Sequence, residues 1–394
     1  MTAPRHLTDK RVPAAPRSAP EPRSSTQELA REVLIHGPIA RSDLMQRLGL
    51  SPASLTRLSK PLLEAGFFIE TLERTAGAVG RPVRPLDVRV DAAWHVGVKL
   101  TGDRAHGVAT DLRATVLAET FVDLRVHSPE GVVDAVGEIV SVLSDSLGAG
   151  DPSALGVSIG GQVTNSRIVD RAPFLGWRDV DLGGLLETRL ALPVVVANDV
   201  VALTEAEHWF GLGRGLDDFA VITTGAGVGY GLVIHGRQRI TRDTGLGLGG
   251  HYPLDPAGPE CPAGHRGCST AMMSIPSIRA SVTAGLGRDV SYADVLALAG
   301  AGDPVARGVV EEAGRSLGRL IAAVANLTMV DTVVLGGEGI DLVPVVRRQV
   351  HEALAEDRDP DALPVQLLIG GSDFSAWARG AAAMAIQSRV GRIG

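Results

Sequence analysis

Apolar positions along the chain follow two different rhythms. Between about residues 26 and 64 they recur three and four apart, as at Leu29, Val33 and Leu34, which is the spacing of a helix with one buried face. From about residue 91 onward, short Val/Ile/Leu runs alternate with Ala/Leu-rich stretches. The runs WHVGVKL, AHGVATDL, TVLAETFVDL, ALGVSIG, PVVVAND, DFAVITTGAG and GYGLVIHG predict strands. Helices are expected over about 130–147, 182–189, 200–209, 303–327 and 375–389. Alternating strands and helices predict an α/β body, preceded by a small helical unit. Residues 1–25, rich in Pro, Arg and Ser, are expected to be a disordered tail.

Within 26–88 the pattern predicts a winged helix-turn-helix. Thr26 is expected to cap the first helix, and Arg41 or Ser42 to open the second. The turn Gly49-Leu50-Ser51 then leads into a third helix, with Ser51 as N-cap and Pro52 in its first turn. A helix, a glycine-containing turn and a Ser-capped helix form a DNA-reading unit. Ser54, Thr56 and Arg57 would face the major groove, Lys60 lies where a phosphate contact belongs, and Ser51 is expected among the DNA-binding residues as well. Pro61 is expected to bend or shorten this helix. A strand at Phe67-Phe68-Ile69 and the loop GAVGRPVRP, with Arg81 and Arg84, complete a basic wing.

Charge sharpens the division. The 394 residues carry a net −7, yet residues 1–90 hold 14 Lys+Arg against 9 Asp+Glu, a net of +5, and the remainder is −12. A basic front end on an acidic body predicts nucleic acid as the partner of the first part only. The start lacks the apolar core of a signal peptide. Its most apolar stretch, 320–335, is broken by Asn326 and Asp331, so no membrane span is expected. Two cysteines, Cys261 and Cys268, fit a cytoplasmic protein rather than a disulfide scaffold. Forty-eight glycines imply many tight turns and close backbone approaches.

Several motifs carry candidate chemistry. VVVANDVVAL places Asn198 and Asp199 at the carboxyl end of a strand, where ligands collect in α/β sheets. Asp199 could accept a hydroxyl proton; the simpler alternative is a helix cap. TTGAGVGYGL, with Thr224, Gly225, Gly227 and Gly229, allows a turn whose N–H groups face an anion, or serves only as a glycine-rich hairpin. A further cluster, LGGEG at 335–339, follows a strand.

The ordered set of winged helix, LGVSIGGQV, APFLGW, NDVVALTEAEHWFG, TTGAGVGYGL, GLGLGGH and CPAGHRGC resembles the ROK family of repressors, open-reading-frame proteins and kinases, from about residue 26 to the C-terminus. The resemblance implies a two-lobed, actin-like and ribonuclease-H-like fold over 89–394. One lobe would span roughly 89–197 plus the C-terminal helix, the other 198–375. It further implies Asn198, Asp199 and His251 as sugar contacts, with Asp199 at the position of the kinases' general base. The TTGAGVGYGL turn would be the phosphate loop and LGGEG the adenosine-side loop.

The pattern also departs from the kinases. Lys99 stands where they carry the Asp that positions magnesium, and a lysine cannot coordinate a cation. Leu248 and Thr270 replace two sugar-binding glutamates, and Ala263 replaces the middle cysteine of a zinc set. His251, Cys261 and Cys268 thus leave a zinc site one ligand short, to be completed by His265 or water if it forms at all. No cofactor beyond this incomplete zinc set is expected.

These readings predict a non-enzymatic, sugar-responsive repressor of carbohydrate-metabolism genes. It would be a homodimer or homotetramer that binds a double-stranded operator and an effector other than plain glucose, with no membrane partner. The alternatives are an ATP-dependent hexokinase-type enzyme with a DNA-binding appendage, and an interaction module on a scaffold.

Overall fold

In a computed structural model, residues 24–71 and 84–392 are described. The front unit contains helices α1 (Ser25–His36), α2 (Arg41–Leu48) and α3 (Pro52–Glu64) and the antiparallel strands β1 (Phe68–Glu70) and β2 (Leu86–Val88). The cap of α1 is not Thr26. Ser24 accepts from the Gln27 N–H while the Gln27 side chain answers the Ser24 N–H, a capping box that starts the helix at Ser25. The preceding residues 1–23 lie outside the described ones. Ala40, without a side-chain cap, precedes α2, and Ser51 caps α3. Pro61 does not shorten α3, which runs on to Glu64.

The body begins with a five-stranded sheet of order β10-β6-β3-β4-β5. It comprises β3 (His95–Leu100), β4 (Arg104–Thr110), β5 (Val116–Asp123), β6 (Leu155–Ile159) and β10 (Val194–Asn198). Every residue of β3 and β6 is buried, as central strands require, whereas β5 alternates toward solvent at the edge. Helices α4 (Pro129–Leu147) and α5 (Leu182–Leu190) cover one face, and β7 (Gln162–Thr164), β8 (Ile168–Ala172) and β9 (Trp177–Val180) form a separate meander.

A second five-stranded sheet, β13-β12-β11-β14-β15, follows helix α6 (Asp199–Phe210). Its strands are β11 (Phe219–Thr224), β12 (Val228–Ile234), β13 (Arg237–Gln238), β14 (Thr332–Gly336) and β15 (Gln366–Ile369). Helices α7 (Ser269–Met273), α8 (Ile275–Leu286), α9 (Tyr292–Ala301), α10 (Pro304–Thr328) and α11 (Val343–Glu356) surround one large core on its outer face. The chain closes with α12 (Phe374–Val390).

Two helices lie between the sheets. α12 presses onto β3 and β6 so closely that a Cβ on Gly97 or Gly156 would fall 2.0 or 1.8 Å from the carbonyl oxygens of Ala378 or Ala381. Glycine on the strands and alanine on the helix are therefore a single steric requirement. α6 covers the inward face of the second sheet, where Leu203 packs with Val221 and Val334, and it crosses α12 at Gly380. Among the described residues, no helix is long and apolar enough to cross a membrane.

Candidate functional site

The inner ends of both sheets open onto a cleft of about 490 Å³. One wall carries Lys99, Gly160, Phe174, Asn198 and Asp199; the other carries the 224–229 turn, Tyr230, Leu248 and Glu338; α12 contributes Phe374 and Trp377. β10 places Asn198 and Asp199 here because its four buried apolar residues, Val194 to Ala197, fix it in the sheet and α6 starts at its carboxyl end. Asn198, not Asp199, is the N-cap: its Oδ1 accepts from the N–H groups of Val200 (3.0 Å) and Val201 (3.2 Å). Its amide donates to the Gly161 carbonyl at 2.8 Å, so most of its capacity is already used.

Asp199 is engaged as well. Oδ1 accepts from the Val200 N–H (2.9 Å) and the Asn198 amide (3.1 Å), and Oδ2 lies 2.5 Å from Lys99 Nζ. The Lys99 side chain is 8% exposed, and its ammonium sits 5.0 Å from the centre of the Trp377 ring. The two residues singled out as base and as departure are thus one buried ion pair.

Thr224, Gly225, Gly227 and Gly229 all line the cleft, in the tight hairpin between β11 and β12. His251 does not line it. Its Nδ1 turns to Cys261 Sγ (3.6 Å) and Cys268 Sγ (3.8 Å), because residues 248–251 wind away from the cleft as a short 3-10 turn. Thr270 is likewise absent from the lining, while Leu248 is present and 65% exposed.

His265 joins the cysteines. The ligand atoms of His251, Cys261, His265 and Cys268 lie within 4.8 Å of one another, and both cysteines are free and buried. His265 Nε2 is buried with no hydrogen-bond partner, an orphaned ligand atom that a metal would satisfy. Two thiols and two imidazoles suit a tetrahedral, borderline-soft ion, so these residues fit the implied metal, and the set of three expected from the sequence becomes four. Burial raises the Cys268 thiol above its ordinary range.

On α3, Leu55, Leu58 and Leu62 are buried while Ser51, Thr56, Arg57 and Lys60 are exposed, with Ser54 half-buried beside its cap. The Thr56 hydroxyl donates to the Pro52 carbonyl, and Lys60 faces Glu64 at 3.7 Å on the surface. Arg81 lies outside the described residues. Arg84 meets Glu70 at 3.4 Å, and the hydrogen bond from Arg41 holds the Glu70 carboxyl below its usual range.

The family model for ROK proteins matches residues 95–388. The chain belongs to the ROK family. Among its ROK relatives, the xylose repressor of Bacillus subtilis is 24% identical over 329 residues, covering 83% of this chain and 85% of that protein. The N-acetylglucosamine repressor of Escherichia coli O157:H7 is 27% identical over 315 residues, 77% of each chain. Among solved structures, a ROK family transcriptional regulator described as a homologue of the E. coli MLC protein superposes with a TM-score of 0.79 at 26% identity, over 93% of this chain and 96% of that one. A ROK family glucokinase from Streptomyces griseus, in complex with glucose and AMPPNP, gives 0.65 at 28% identity, over 74% and 99%. The two-lobed α/β body is thus the sugar-kinase architecture, and only the regulator among these structures spans the front unit as well.

Phe174, Trp377 and Glu338 are cleft residues that motif reading passes over. Phe174 lies inside APFLGW and Glu338 inside LGGEG, where a carboxylate between glycines is the legible signal. Trp377 enters only through the register of α12.

Proposed function

We propose that this ROK protein is a sugar-responsive DNA-binding repressor whose body senses a ligand without phosphorylating it. One observation carries the reading: α6 starts at Asn198 and Asp199 in the cleft and ends at Trp209 and Phe210 in the core of the winged helix. α12 runs parallel to that logic, with Phe374 and Trp377 at the cleft and Ile386 and Val390 in the same front core. Arg31 of α1 stacks over Trp209 at 5.4 Å, Gln27 donates to the Gly391 carbonyl, and Arg113 donates to the carbonyls of Leu34 and Gly37 at the end of α1. A ligand that changes the angle between the lobes would move α6 against α12, and with them the platform on which the DNA reader rests.

In this reading Ser54, Thr56 and Arg57 read base edges, and Ser51, Lys60 and Arg81 meet the backbone. Asn198 and Asp199 contact the sugar through whatever capacity the cap and the ion pair leave, and Phe174 and Tyr230 offer rings to stack on it. The chain acts as a homodimer, since a roughly palindromic operator needs two readers. His251, Cys261, His265 and Cys268 hold one structural zinc, which would tie together the loop that follows Leu248. Phosphoryl transfer is lost because Lys99 both lacks oxygen ligands for magnesium and occupies Asp199.

The test is fluorescence anisotropy on the chain's own promoter DNA with a panel of sugars. A sugar that shifts operator affinity supports the reading. Operator binding indifferent to every sugar removes the sensing half, and ADP release with hexoses that is lost in Asp199→Ala would replace it with the kinase.

A further inference from the structure

The glycine hairpin of the cleft is already occupied, by the chain itself. Glu338 Oε1 accepts from the Ala226 N–H at 2.8 Å. A Cβ built on Gly225 would lie 2.2 Å from Glu338 Oε1, 2.3 Å from Cδ and 2.6 Å from Oε2, so the carboxylate rests directly against that glycine. Its backbone is fixed from both sides. The Gly339 N–H donates to the Thr224 carbonyl at 2.8 Å, and the hydroxyl of the half-buried Tyr292 donates to the Gly339 carbonyl at 2.7 Å. Burial, with Asp341 and Glu338 nearby, raises the Tyr292 hydroxyl well above its ordinary range, so it stays a donor at any physiological pH.

We propose that Glu338 is a built-in anion that closes the glycine loop to phosphate, making the cleft specific for saccharides that carry no phosphate to place there. This rests on the reading of the cleft as a sugar site. A turn whose N–H groups are free favours an incoming anion, whereas one that already carries a carboxylate repels it at van der Waals range. The rest of the wall offers no compensation. Lys99, the cation nearest the sugar side, is neutralised by Asp199; Asp103 and Asp243 add negative charge; Arg239 stands alone against them among the described lining residues. The remaining surface is ring and aliphatic: Phe174 is 57% exposed and Tyr230 47%, which suits the apolar face of an uncharged pyranose rather than a phosphate ester.

The experiment is calorimetric titration of the full chain with ADP and with inorganic pyrophosphate, for wild type, Glu338→Ala and Glu338→Gly. Wild type is expected to give no saturable heat with either anion. Both variants are expected to bind ADP and pyrophosphate at least about tenfold more tightly than any wild-type response, as removal of a charge in contact should produce. Binding of both anions locates the gain at the phosphate loop; binding of ADP without pyrophosphate contradicts it. Wild type binding ADP as tightly as the variants overturns the proposal. So do two silent variants whose melting curves and operator affinity match wild type. The sugar response of operator binding is read separately, so failure of the anion arms leaves it standing, and loss of that response condemns the sugar reading instead.

Discussion

Truncating one half of the Lys99–Asp199 pair is expected to destabilise the body far more than truncating both. At 2.5 Å and an effective dielectric of about 20, the charges attract by about 7 kcal/mol. Desolvation offsets most of this, since only 8% and 16% of the side chains reach solvent. A lone survivor keeps the desolvation cost without the attraction, a loss of about 3–5 kcal/mol for a buried pair. The two single losses should differ. Lys99→Met leaves Asp199 with N–H donors from Val200 and Asn198, which points to the lower end of that range. Asp199→Ala leaves an ammonium whose nearest compensation is the Trp377 ring, which points to the upper end. The double variant Lys99→Met/Asp199→Ala should sit within about 1 kcal/mol of wild type, as replacement of a buried pair by apolar groups usually does. The assay is urea unfolding at pH 7, followed by tryptophan fluorescence, as a double-mutant cycle. A coupling of at least about 2 kcal/mol is expected. Additive single effects, or a double variant worse than either single, would refute the reasoning.

His95 opens β3 fully buried with neither ring nitrogen bonded, and burial, aided by Arg389, lowers its pKa to about 4. The native chain thus resists a proton that the unfolded chain takes up below about 6.5, so stability is complete above that pH and falls by about 3 kcal/mol on acidification toward 4. His95→Leu should flatten melting temperature against pH over that window. One zinc per chain should be found by elemental analysis, and His265→Ala or Cys268→Ser should lose it and lower the melting temperature; equal metal content in both variants contradicts the four-ligand site. Lys60→Ala should reduce the slope of log affinity against log salt by about one for any DNA, whereas Arg57→Ala should cost about 1–3 kcal/mol on the operator alone; identical behaviour of the two would remove their distinct roles.

What was legible in the sequence follows from how strongly each local signal is determined. Continuous apolar runs such as VVVAN fix central strands, and Ser51-Pro52 fixes the start of α3. Helices α8 and α9 escape the pattern because serine and alanine leave no clear stripe; α8 buries only Ile278 and Val282, and α9 only Val295 and Ala299. The strands β7, β8 and β9 are too short and polar to register. At the cleft, NDVVAL locates the strand end, yet it does not reveal that Asn198 rather than Asp199 caps α6. Lys99 is visible as a departure, while its partner 100 positions away is fixed only by the pairing of β3 with β6 and of β6 with β10. The GLGLGGH motif offers His251 both to the sugar and to the cysteines; the 3-10 turn leaves it out of the cleft lining and beside Cys261 and Cys268. Glu338 reaches Gly225 across 113 residues, through the parallel register of β11 and β14.

The most direct test of the account is operator affinity with and without an uncharged sugar, in wild type and in Trp209→Ala. Wild type should change its affinity on adding sugar. The variant, which removes the ring joining α6 to Arg31 and the winged-helix core, should still bind the sugar calorimetrically but lose at least about tenfold of the coupling. A sugar response of unchanged size in Trp209→Ala, or no response to any sugar in wild type, would contradict the account.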